Sequence, residues 1–163
     1  MHPLVDEVMK KAAIVWLTVD GGRPYPVWCL WMGDALYVVS GPGEQPAPGL
    51  AEAATALVSA RGDHGGRVVT WPADVRRVVP DGELWPTVVP QLAGKRLNAS
   101  GTAEETAARW AAGCVVSRLA PAGDPTEVGP TLPDGSGAAP PPPTSATRLP
   151  AKPFRLHRVR RPR

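Results

Sequence analysis

The sequence predicts a mainly β domain with a few helices, on three observations. Residues 12–41 hold three consecutive strand-like runs separated by turn-forming residues. Two more β-rich runs follow at 55–61 and 67–79. Helical spacing is confined to short stretches at 1–11 and between 84 and 112.

Leu4, Val5, Val8 and Met9 lie at helical spacing and predict a lead-in helix over residues 1–11. The first strand, 12–19, is apolar on both alternating faces: Ala13, Val15, Leu17 and Val19 against Ala12, Ile14 and Trp16. It is expected to be buried on both sides, in a barrel or a sandwich interior. Asp20-Gly21-Gly22 tolerates positive φ and turns the chain into a second strand, 27–32. That strand places Trp28, Leu30 and Met32 on one face and Val27, Cys29 and Trp31 on the other. Gly33-Asp34 closes a hairpin into the third strand, 35–40.

The loop GPGEQPAPGL (41–50) excludes regular structure through three prolines and three glycines, and residues 50–54 suit one helical turn. TALVSAR (55–61) reads as strand four. RVVTW (67–71) reads as strand five, which Pro72 is expected to bend or interrupt before 75–79 continues it. Leu84, Val88 and Leu92 then follow helical spacing to about residue 97, with Pro90 removing one hydrogen bond. Thr102 and Glu105 form a capping-box pattern that opens a helix to about residue 112. CVVSRL (114–119) is the sixth strand, and Pro121 is expected to end the folded body.

The expected organisation is a domain over 1–120, a linker over 121–150 and a basic tail over 151–163. Nine prolines and four glycines between 121 and 150 leave too little apolar surface to offset ordering. Residues 148–163 carry seven of the 18 basic groups and no acid, so the other 147 residues hold 11 basic against 15 acidic groups. The body is acidic, and its sequence shows neither a stacking platform nor a recognition helix, which argues against nucleic acid as a partner.

No apolar run reaches the length of a membrane span, and no signal peptide pattern begins at Met1, so a cytoplasmic protein is expected. Cys29 and Cys114 read as buried free thiols. His2, His64 and His157 are far apart and form no metal-ligand spacing; His64 reads as a solvated turn residue. No GxSxG elbow accompanies Ser40, Ser59 or Ser117. Six tryptophans against one phenylalanine are core ballast, the wall of a flat ligand, or both.

The element order is that of a small six-stranded split β-barrel. The segments GRPYPVWCLWMGDALYVVSG (22–41), TALVSAR with RVVTWPADVRRV (55–61 and 67–78), and RLNASGTAEETAARWAAGCVVSRLAP (96–121) carry a resemblance. Together they resemble the pyridoxamine 5′-phosphate oxidase-like, FMN-binding split-barrel family and its actinobacterial flavin and deazaflavin oxidoreductase relatives. The resemblance implies a homodimer with a cofactor between subunits, FMN or alternatively the 8-hydroxy-5-deazaflavin coenzyme, and a small-molecule substrate.

Matched to the family pattern, Val27, Trp28 and Cys29 fall on the ring-facing strand, Ser40 and Gly41 at the end of the third strand, and Arg61 at the end of the fourth; Arg67 is a second cationic candidate. Many relatives carry Ser-x-Lys after the third strand. Here Glu44 occupies a loop without lysine, so phosphate binding is expected to be weakened, rearranged or lost. The implied function is an oxidoreductase without a nameable acid or base; the alternative is a non-enzymatic binding protein on the same fold.

Overall fold

The computed structural model describes residues 2–62, 66–96 and 101–131. The basic tail, the linker beyond Thr131 and the His64 turn lie outside the described residues. Helix α1 (Pro3–Lys11) is capped by His2, whose Nδ1 accepts from the Leu4 amide, and it buries Val5 and Met9. The strands are β1 (Ile14–Thr18), β2 (Tyr25–Trp28), β3 (Leu30–Met32), β4 (Ala35–Ser40), β5 (Thr55–Arg61), β6 (Arg67–Val78), β7 (Val115–Pro121) and β8 (Glu127–Val128). Helices α2 (Trp85–Lys95) and α3 (Ala103–Gly113) lie between β6 and β7.

All strand pairs are antiparallel, in the order β2-β1-β5-β6-β7-β4-β3. The two ends of this path, β2 and β3, are separated in the chain only by Cys29. The sheet must therefore curl until its ends meet there. The expected second strand is one run that changes partner at Cys29, from β1 to β4, and the barrel is split at that point. Counting β2 and β3 together, six strands make the wall, and the short β8 pairs with β6 outside the main path.

Two apolar clusters sit on opposite sides of this wall. Val15, Leu17, Val27, Leu36, Val38 and Trp71 belong to the first, which α1 joins through Val5 and Met9. Tyr37, Val39, Val116 and Trp110 belong to the second, together with Val88 and Leu92 of α2. Strand β4 consequently feeds both clusters from alternate residues and is buried on both faces.

The expectation of two-sided burial for the first strand is corrected. In β1 only Val15 and Leu17 are buried, and Ile14 is 58% exposed. Helices α2 and α3 back β4 and β7, and no described element backs the outer face of β1.

Three further expectations change. Pro72 does not interrupt β6, which runs unbroken past it: its carbonyl accepts from the Ala122 amide, so the proline loses only the donor it never had. Residues 50–54 form turns rather than a helical turn. The chain does not stop folding at Pro121, because Thr126 and Glu127 tie it back to β6: the Thr126 amide donates to the Thr70 carbonyl, and Arg67 Nη1 reaches both Glu127 oxygens at 3.2 and 3.1 Å. No described helix is long and apolar enough to cross a membrane.

Candidate functional site

A cavity of about 560 Å³ opens where the barrel is split. Its wall comes from the C-terminal end of α1, the entry into β1, the β2–β3 junction, the loop after β4 and the end of α2. Trp28, Cys29 and Trp31 supply apolar surface, while Lys95 and Arg96 supply positive charge. Lys10 and Lys11 also border it, but they pair with Asp6 and Glu7 at 2.6 and 3.3 Å. Lys95 has no salt-bridge partner among the described residues. It closes the last turn of α2, where a cation also complements the helix dipole.

The loop after β4 is held by its glutamate. The Glu44 side chain is only 1% exposed. Its carboxylate accepts from Arg96 Nε at 3.0 and 2.9 Å, Arg109 Nη2 at 2.7 Å and Trp110 Nε1 at 2.8 Å. Burial alone pushes this carboxyl up; the Arg96, Trp110 and Arg109 bonds outweigh it and hold Glu44 below the ordinary glutamate range. Arg96 Nη2 also donates to the Gly43 carbonyl at 3.1 Å. One carboxylate thus ties the loop to the end of α2 and to the face of α3.

The neighbouring Gln45 performs a second closure. Its Oε1 accepts from the Trp28 amide at 2.7 Å, and its Nε2 donates to the Trp28 carbonyl at 2.9 Å. Behind the Trp28 indole stands Trp110, with ring centroids 6.3 Å apart. Trp31 donates its Nε1 to Asp6 of α1 at 3.2 Å and meets Trp71 edge to face.

Cys29 is buried and free, as is Cys114. Burial pushes the Cys29 thiol up to about 12, against a smaller opposing effect from Lys95. It remains protonated at neutral pH and is a wall group rather than a nucleophile.

The residues singled out from sequence divide into three places. Trp28 and Cys29 border the cavity, with Val27 beside them but turned into the barrel core at 1% exposure. Ser40 pairs with Val115 at the end of β4. Gly41 follows it at φ +140°, and a Cβ there would lie 2.9 Å from Cys114 Cα, so this glycine serves close packing against the end of α3. Arg61 and Arg67 stand apart from the cavity lining. Arg61 lies over the Trp16 ring, 4.4 Å from its centroid, and Arg67 pairs with Glu127.

Lys95 and Arg96 escaped sequence reading as site residues, whereas Gln45 is legible there as a polar loop contact that could instead hydrogen-bond the polar edge of a ligand. The adjacent pair Lys95-Arg96 at the end of a helical pattern was the available signal, since two cations there call for an anion nearby.

Comparison with protein-family models finds no match, and comparison with curated proteins finds none. Solved structures do match. HutZ, the heme storage protein from Vibrio cholerae, aligns with a TM-score of 0.52 at 18% identity, over 76% of this chain and 91% of its own. A Listeria innocua protein named for pyridoxamine 5′-phosphate oxidase aligns with a TM-score of 0.50 at 14% identity, over 73% of this chain and 91% of its own. These likenesses agree with the strand order and with the closure at Cys29: the chain is a split β-barrel of the pyridoxamine 5′-phosphate oxidase-like fold.

Proposed function

We propose that this protein binds a planar, anionic cofactor of the flavin type in the cavity at the barrel split, and that it acts as an oxidoreductase. The observation that carries the proposal is the pairing of an aromatic wall, Trp28 and Trp31, with a cation not committed to a salt bridge, Lys95, around about 560 Å³. That volume lies within the range of small-molecule and cofactor sites. FMN is the first candidate and the 8-hydroxy-5-deazaflavin coenzyme the alternative. When bound, either supplies hydride transfer through its own ring system.

The chain's residues would bind and shield. Trp28 offers a face for stacking, and Trp110 behind it limits its movement. Lys95 meets the anionic group, in the role that a loop lysine holds in relatives of the resembled family. Glu44 does not repel that group in this arrangement, because two guanidinium groups already neutralise it.

The homodimer belongs to the same proposal. Ile14 borders the cavity and is exposed, and Leu57 on the neighbouring β5 is 38% exposed. Trp16 lies between them on the pairing register, opposite Ser59. A second copy packed on this face would cover apolar surface and close the cavity mouth. Arg61 and Arg67, on the adjoining strands, would then reach a phosphate only across that interface.

Tryptophan-fluorescence titration tests the reading. FMN or the deazaflavin coenzyme is expected to quench saturably, and Lys95→Ala to weaken FMN by about tenfold while leaving riboflavin, which lacks the phosphate, unchanged. Absence of saturable quenching by both cofactors overturns it.

One observation favours a second reading, a binding protein without turnover. Glu44 is held ionised by its bonded donors and Cys29 is held protonated, so neither is poised to move a proton near neutral pH. Cofactor-dependent turnover of any substrate by the purified protein excludes this reading.

A further inference from the structure

We propose that Gln45 is an internal occupant of a recognition edge on β2, and that a planar heterocycle carrying a carbonyl beside an N–H displaces it. This rests on the ligand reading of the cavity and names the part of the ligand that is recognised.

The edge follows from strand alternation. The Cys29 amide donates to the Ala13 carbonyl, so Cys29 addresses β1. Its neighbour Trp28 must then point its N–H and C=O to the opposite side. Strand β2 ends the path of paired strands, and no strand among the described residues is paired on that side to receive them. A backbone donor and acceptor left open at a half-buried site need partners. Gln45 provides both, with one bond in each direction, at 2.7 and 2.9 Å.

Trp28 and Gln45 both border the cavity, so the paired edge lies where a ligand would enter. The primary amide offers a carbonyl and an N–H in one plane, and a ligand that replaces it must offer the same pair. An imide or lactam edge of a heterocycle does so; a porphyrin face or an aliphatic carboxylate does not.

Displacement requires little movement. Glu44 is anchored by Arg96, Arg109 and Trp110, and Arg96 also holds the Gly43 carbonyl. The loop backbone can stay in place while the Gln45 side chain rotates away. The exchange replaces two hydrogen bonds by two, and stacking on Trp28 favours the ligand.

The test uses riboflavin and 3-methylriboflavin, which differ in the single N–H that would donate to the Trp28 carbonyl. Both are titrated against the wild-type chain, Gln45→Ala and Gln45→Met; the methionine keeps side-chain length without either bond. Riboflavin is expected to bind the variants about tenfold more tightly than the wild type, and methylation to weaken binding to the variants by about tenfold. Equal affinity of the two flavins for a folded variant, or weaker riboflavin binding by both folded variants, overturns the proposal while leaving the cavity reading intact. No saturable binding by any of the three proteins removes the cavity reading and this inference together.

Discussion

Replacing Glu44 by alanine probes the arrangement on which the loop, two helices and the cavity wall all depend. The substitution removes the carboxylate that pairs with Arg96, whose side chain is 17% exposed, and leaves the Nε1 of the fully buried Trp110 without its acceptor. Arg109 is 43% exposed and can turn to water, so its share is small. Removing one partner of a buried ion pair costs about 3–5 kcal/mol, and an orphaned buried N–H about 1–3 kcal/mol. These losses overlap because they share one carboxylate, which places the expected cost at about 3–4 kcal/mol. For a domain of this size that lowers Tm by roughly 10–15 °C.

Thermal unfolding followed by circular dichroism at neutral pH measures the loss. A fall of less than about 3 °C refutes the reasoning, since the carboxylate would then be dispensable to the fold. A pH arm separates charge from packing. The folded Glu44 carboxyl titrates below its unfolded value, so its stabilisation is present above about pH 4.3 and fades as the pH falls through the folded value. Glu44→Gln keeps the volume and removes the titration. The stability gap between wild type and this variant is expected to close on acidification below about pH 4. A gap that stays constant with pH would assign the loss to packing alone.

Three other substitutions or treatments follow from the same structure. Gly41→Ala forces a Cβ to within 2.9 Å of Cys114 Cα at φ +140°, and is expected to destabilise by about 2–4 kcal/mol; denaturant unfolding with an unchanged midpoint would contradict the close approach. Cys29, pushed up to about 12 by burial, is expected to react with a thiol reagent far more slowly in the folded protein than in the denatured chain, and labelling mapped by mass spectrometry at native pH, with and without denaturant, checks this. Ile14→Lys places charge on the exposed apolar face of β1 without touching a core residue, and is expected to convert a sedimenting dimer to monomer with little change in Tm; an unchanged sedimentation coefficient would move the proposed interface elsewhere.

The elements that sequence reading located well are those specified by short-range chemistry. Strand β5 runs over Thr55–Arg61 as its alternating run implies, and Thr102 and Glu105 exchange both bonds of the capping box. The split barrel itself was legible from the order of the elements and the family resemblance they carry, whereas the pairing of β4 with β7 was not. What was not legible depends on partners distant in the chain. Both faces of β1 and β4 are apolar in sequence, yet of these two only β4 packs with α2 and α3 in one cluster, and alternation cannot say which two-faced strand a helix will cover. Likewise Glu44 in a glycine- and proline-rich loop looks like a solvated charge until Arg96 and Arg109, 52 and 65 residues later, are folded against it. The expected conflict between Glu44 and a phosphate came from treating its charge alone. With two guanidinium groups on that one carboxylate, the cluster carries no uncompensated negative charge toward the cavity, and Lys95 adds a second positive charge at its wall. Lys95→Glu should therefore reverse the order of preference, binding riboflavin more tightly than FMN, and the ratio of the two affinities reads that reversal directly.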